Sequence, residues 1–174
     1  MKRIVTATVN NRAGVLNRIT GLFTRRQFNI ESITVGHSEM PGISRMTFVV
    51  QVDDDAKIEQ LIKQLNKQVD VLKVNDITSQ SYVARELVMI KVIANAQTRA
   101  EINGIIEPFR ASVVDVSKDS LVVQVTGESS KVEALIELLS PYGIKELART
   151  GLTAFTRGTQ QKSVTDMKQY TLIK

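Results

Sequence analysis

Apolar positions along this chain switch between a period of two and a period near four, and the switches come in a repeated order. Residues 2–10 (KRIVTATVN) alternate and predict a strand. Residues 14–26 (GVLNRITGLFTRR) set Leu16, Ile19, Leu22 and Phe23 on one helical face. FNIESITVGH returns to strand character, Pro41-Gly42 marks a turn, and ISRMTFVVQV carries Met46, Phe48, Val50 and Val52 on one face of a further strand. The acidic run DDD opens a helix in which Ile58, Leu61, Ile62 and Leu65 share a face, and VDVLKVNDI predicts the next strand. The order is β-α-β-β-α-β.

The second half repeats it. ELVMIKVIA predicts a strand, and Thr98-x-x-Glu101 reads as a capping box ahead of the stripe Ile102, Ile105, Ile106 and Phe109. Pro108 should end that helix near its last turn. ASVVDVS and SLVVQVTG predict two strands about a turn at Lys118-Asp119. Ser130-x-x-Glu133 reads as a second capping box before Val132, Leu135, Ile136 and Leu139, with Pro141 and Gly143 stopping the helix and IKELART as the last strand. The stripes predict core. The expected fold class is α+β, two tandem ferredoxin-like βαββαβ domains at residues 1–78 and 79–158, with a boundary near TSQSYVAR and a basic tail at 159–174. Beyond about residue 150 the periodicity weakens, leaving a partly ordered segment with one short strand expected at its end.

Composition removes several classes of chemistry. The chain has 174 residues, 43% hydrophobic and 24% charged, which suits a globular protein with a proper core. With no cysteine and a single histidine, His37, it offers no Cys/His metal site, thiol nucleophile or disulfide framework. No G-x-S-x-G elbow, phosphate loop or paired carboxylates stand at a junction, so no catalytic or metal-ligating residue is assigned. No apolar run approaches membrane-spanning length and the N-terminus enters a strand at once, so a cytoplasmic location without membrane contact is expected. The net charge of +5 is spread: residues 1–80 carry 11 basic and 8 acidic side chains, residues 81–174 carry 12 and 10. Such a balance is an ordinary solvated surface.

One junction differs from the others. NNRAGVL, residues 10–16, leads into the first helix without a capping box; it offers Asn11 and then Gly14. Glycine admits close approach to the backbone, asparagine brings a donor and an acceptor, and a carboxylate could sit on the amides near Gly14 and Val15. Asparagine and glycine also dominate ordinary turns and caps, and spacing alone leaves both readings open. Asn29, beside Phe28 and Ile30, begins the strand that the usual order (fourth, first, third, second) sets at the sheet edge, a natural place for another chain to pair. Glu31 and His37 read as surface residues.

The stretch VNNRAGVLNRITGLFTRRQFNIESITVG, followed by SRMTFVVQVD and QLNKQVDVLKV, closely resembles the regulatory (small) subunit of acetolactate synthase, also called acetohydroxyacid synthase. The first unit resembles that family's ACT domain, and ELVMIKV, RASVVDVS, SLVVQVTG and ELARTG resemble its C-terminal domain; the match runs over about residues 2–158. The resemblance implies a chain with no catalysis of its own. It implies a partner, the catalytic large subunit with thiamine diphosphate, Mg and FAD, and no cofactor bound by this chain. It further implies activation of that partner and feedback inhibition by valine, or by leucine or isoleucine, bound where the ACT domains of a homodimer meet. Carried over by motif, Asn11, Gly14, Val15 and Leu16 would take the amino acid's carboxylate; Asn29 and Ile30 would come from the other chain, with Ile33 and Val35 as further apolar lining. Two departures stand out: Gln27 where the family usually has glycine, and Arg12-Ala13 where an acidic-Pro or acidic-Ser pair is common. The alternative from another class, a tandem RRM-like RNA-binding protein, needs exposed aromatics on the first and third strands. The first has none and the third has only Phe48, on the apolar face, so no nucleic-acid partner is expected.

Overall fold

The computed structural model describes residues 1–158. The chain divides into two compact units, Met1–Val83 and Ala84–Thr153, and the described residues after Thr153 group with the first. The tail at 159–174 and its expected final strand lie outside the described residues.

The first unit runs β1 (Lys2–Asn10), α1 (Val15–Arg25), β2 (Asn29–His37), β3 (Ile43–Gln51), α2 (Asp55–Asn66) and β4 (Val71–Asp76). Its antiparallel pairings give the order β2-β3-β1-β4, so β2 is an edge strand. The helices cover one sheet face. Val5, Ala7 and Val9 of β1 and Met46, Phe48 and Val50 of β3 meet Ile19, Leu22, Phe23, Ile58, Leu61 and Leu65 in one buried cluster. Phe23 stacks on Phe48 at 4.9 Å and takes the edge of Phe28 at 6.3 Å. Both Phe23 and Phe48 are wholly buried, and truncating either to alanine would cost about 3–5 kcal/mol. Asp54 caps α2, accepting from the Ala56 amide at 2.9 Å. At the other end of α1, the Phe28 amide returns to the Phe23 carbonyl at 3.0 Å, and Gln27 takes the left-handed conformation at φ 57°. A glutamine thus fills the position that glycine would occupy without strain.

The second unit runs β5 (Tyr82–Ile93), α3 (Thr98–Ile106), β6 (Ser112–Val116), β7 (Ser120–Gly127), α4 (Ser129–Leu139) and β8 (Ile144–Arg149), with strand order β6-β7-β5-β8. Its core joins Val88, Ile90 and Val92 to Ile102, Ile106, Val132, Leu135 and Leu139. Both units are therefore ferredoxin-like. Strand β5 starts earlier than the apolar run suggests and crosses the division between Val83 and Ala84. A short strand absent from the sequence reading, β9 (Thr153–Thr156), pairs with β5. The segment VDV contributes less strand than its pattern suggests: Val69 is exposed in a turn, and β4 begins at Val71.

The two expected capping boxes do not form. Ahead of α3 the Arg99 amide already reaches the Asn95 carbonyl at 3.2 Å, so the first turn begins before Thr98. Asn95 Oδ1 accepts from the amides of Gln97 and Thr98, both at 2.9 Å. In α4 the N-cap is Glu128, which makes no side-chain cap bond, and Ser130 already lies within the first turn. An uncapped start is therefore shared by α1 and α4. What sets α1 apart is its glycine and what surrounds it.

Candidate functional site

Helix α1 starts at Gly14, with φ 81° and ψ −7° and no side-chain cap. The preceding loop turns tightly: the Arg12 amide donates to the Asn10 carbonyl at 3.0 Å and the Val15 amide to the Arg12 carbonyl at 3.3 Å. The Val15 amide is therefore engaged within the loop. A Cβ built on Gly14 meets nothing within 4 Å, so the glycine answers to its backbone angle and opens onto free space. Val15 is buried in the core while Leu16, the next residue along, is 44% exposed. The Asn11 amide donates to the Gly42 carbonyl at 2.8 Å, and Asn11 Nδ2 lies 3.5 Å from His37 Nδ1. The histidine, which the sequence pattern placed on the surface, thus stands beside a candidate residue.

A carboxylate under the helix start was not foreseen either. Asp70 is 7% exposed and holds Arg18 at 2.5 Å, with Arg12 at 4.0 Å. Asn10 donates to it through Nδ2 at 3.3 Å, and its backbone carbonyl takes the Asn10 amide at 2.9 Å. These groups tie the end of β1, the first turn of α1 and the entry to β4 into one unit. Val15, Arg18, Asp70 and Val71 line a hollow of about 70 Å³ there. The signal lay in Arg18, four residues beyond Gly14 on the helix, and in a lone acid just before β4. Arg12, just before Gly14 in the loop, adds a second positive charge on the Asp70 side of the helix start.

The register separates the remaining candidates. Asn29 stands opposite Gln51, which stands opposite Lys2, whereas His37 stands opposite Ser44 and Asn10 opposite Ile43. Asn29 and Asn11 therefore lie at opposite ends of one sheet, about 26 Å apart at 3.3 Å per residue. Asn11, Gly14 and Leu16 follow one another across the junction of β1 and α1, while Asn29 and Ile30 stand at the other end of the sheet. A bulge between Ile30 and Ser32 takes Glu31 out of the ladder. It lets both Ile30 and Ile33 pack on the core, while Val35 stays 47% exposed near the Asn11 end.

Among the described residues no group of three or more His, Cys, Asp or Glu could hold a metal ion. No helix among them is long and apolar enough to cross a membrane. Phe48, the one aromatic on β1 and β3, is wholly buried and offers no stacking platform for bases.

Two ferredoxin-like units in tandem, the first opening its helix on a bare glycine, define a protein of the ACT-domain class. The family model described as "AHAS small subunit-like ACT domain" matches residues 6–73, and that described as "Small subunit of acetolactate synthase" matches residues 85–158. The acetolactate synthase small subunit of Bacillus subtilis is 74% identical over 163 residues, 94% of this chain and 95% of that one. The probable acetolactate synthase small subunit of Methanothermobacter thermautotrophicus is 54% identical over 90% of this chain and 94% of its own. The crystal structure of the Thermotoga maritima acetolactate synthase small subunit superposes with a TM-score of 0.83 at 42% identity, covering 91% of this chain and 98% of that one. The chain belongs to the acetolactate synthase small-subunit family.

Proposed function

We propose that this chain is the amino-acid-sensing regulatory subunit of an acetolactate synthase, working as a homodimer on a catalytic large subunit. It activates that subunit, which carries the thiamine diphosphate, Mg and FAD, and relays feedback inhibition by a branched-chain amino acid, valine first. Two copies pair along their β2 edges, antiparallel about Ile33. In that arrangement Asn29 of one copy comes beside His37 of the other, and so beside Asn11 and Gly14. The ligand's carboxylate meets the amides at the start of α1, where the helix dipole is positive. The carboxamides of Asn11 and of the second copy's Asn29 receive its ammonium. Leu16, Val35 and Ile30 form the apolar walls, with Val15 and Ile33 fixing them from the core side.

One observation carries this reading. Within a single chain Asn29 stands at the far end of the sheet from Gly14, so only a second copy can join the two around one small molecule. Calorimetric titration of valine, leucine and isoleucine tests it, with Asn29→His as the comparison. Valine should bind the unaltered chain and inhibit the reconstituted enzyme. Asn29→His should abolish inhibition while activation persists. Absence of heat with all three amino acids, or normal inhibition of Asn29→His, would refute the assignment.

A further inference from the structure

His37 is the only histidine of the chain, and it lies at the candidate site without a part in the binding just described. It ends β2 opposite Ser44 of β3, and on its other side Ser44 stands opposite Val9 of β1. The ends of three strands therefore lie side by side, and Asn11 follows directly on the end of β1. Asn11 is tied across them twice. Its backbone amide donates to the Gly42 carbonyl in the turn between β2 and β3 at 2.8 Å, and its side-chain Nδ2 lies 3.5 Å from His37 Nδ1. Both residues are exposed, so core packing does not force the two side chains together.

The chemistry of this pair runs in one direction. A carboxamide nitrogen only donates, so the imidazole nitrogen facing it must accept, and the proton of the neutral ring then sits on Nε2. With its NH2 group turned toward the imidazole, Asn11 presents its carbonyl oxygen on the opposite side. That oxygen is the acceptor an ammonium group needs. Turned by half a rotation, the same carboxamide would aim two donors at the ligand and repel a cation. An exposed asparagine with no fixed partner samples both orientations, because its last torsion is broad and two-fold. We propose that His37 is a positioning residue of the amino-acid site: by accepting from Asn11 Nδ2 it holds the Asn11 carboxamide with Oδ1 toward the ligand's ammonium. This rests on the sensing function proposed above. His37 acts through Asn11 and needs no contact with the ligand itself.

The test uses the full chain. Because His37 is the only histidine, isotopic labelling of histidine nitrogen gives ring signals from this residue alone, and couplings to the ring protons tell Nδ1 from Nε2. At about pH 8, where an imidazole is neutral, Nδ1 should be the bare nitrogen and Nε2 the protonated one, and Asn11→Ala should shift the Nδ1 signal. Valine binding is then measured by calorimetry on two variants. His37→Ala removes the acceptor; His37→Asn restores one, since the carboxamide oxygen stands where Nδ1 stood. His37→Ala should bind valine about fivefold more weakly, the worth of one neutral hydrogen bond. His37→Asn should bind within about twofold of the unaltered chain. A proton on Nδ1, or an Nδ1 signal indifferent to Asn11→Ala, would overturn the proposal. Native valine affinity in His37→Ala, or a loss that His37→Asn does not restore, would overturn it too and leave the sensing function standing. If the unaltered chain binds no valine, the sensing function falls and the positioning role with it.

Discussion

Gly14 admits two separable explanations, and its substitution distinguishes them. At φ 81° any residue with a Cβ is strained, yet the Cβ would enter open space, with no atom within 4 Å. Only the backbone cost applies to Gly14→Ala. The left-handed conformation costs about 1–2 kcal/mol, and the stiffer unfolded chain returns about 0.4–1 kcal/mol. The net loss is about 1 kcal/mol, a fall in melting temperature of roughly 4–8 °C for a domain of this size. Asparagine tolerates the left-handed region and is a favoured N-cap, so Gly14→Asn should cost only a few tenths of a kcal/mol. If glycine serves the helix start alone, the asparagine variant should be inhibited by valine as the unaltered protein is. If the open space receives the ligand carboxylate, the new side chain occupies it and competes for the same amides. Valine affinity should then fall by about a hundredfold, the worth of two or so charge-assisted hydrogen bonds. The assay pairs thermal melting with calorimetric valine titration on both variants. A stable Gly14→Asn protein with native valine affinity would refute the reasoning.

Other substitutions probe the frame around the site. Gln27→Gly relieves a positive φ at the end of α1 and should stabilise the chain by about 0.5–1 kcal/mol in denaturant titration, with valine affinity unchanged. Asp70→Asn removes the buried charge that holds Arg18. Because Arg18 is itself 56% exposed and can turn to water, the loss should be about 1–2 kcal/mol rather than the 3–5 of a fully buried pair. Thermal melting checks the size, and weakened valine binding would accompany it, since Asp70 fixes the loop that leads to Gly14.

The double βαββαβ order was legible because each helix carries an unbroken apolar stripe and each central strand a clean alternation. The edge position of β2 followed from the fold's strand order. Local chemistry was harder to read. The Thr98 and Ser130 boxes fit a four-residue rule, but Asn95 captures the first amides of α3 one turn earlier and Ser130 lies too far inside α4. The bulge at Glu31 shifts the phase of β2 without any glycine or proline to announce it. Strand β9 is four residues long, and its neighbour Arg157 bonds Tyr82, 75 positions away, a link that no local pattern encodes. Within the candidate site, Asn11, Gly14 and Asn29 stood out as residue types. Arg18 lies one turn beyond Gly14 on the same helix, but Asp70 and His37 join the site only through contacts between elements distant in sequence.

The central claim is that each amino-acid site takes Gly14 from one chain and Asn29 from another. Complementation between two crippled chains tests it most directly. Gly14→Asp and Asn29→His are co-expressed so that mixed dimers form, and valine binding is measured on the mixture and on each variant alone. In a mixed dimer one site collects both lesions and the other none. With random pairing about a quarter of all sites should therefore bind valine with native affinity, while either variant alone binds none. A mixture as inert as its components would mean that each site is built within a single chain, and would contradict the account.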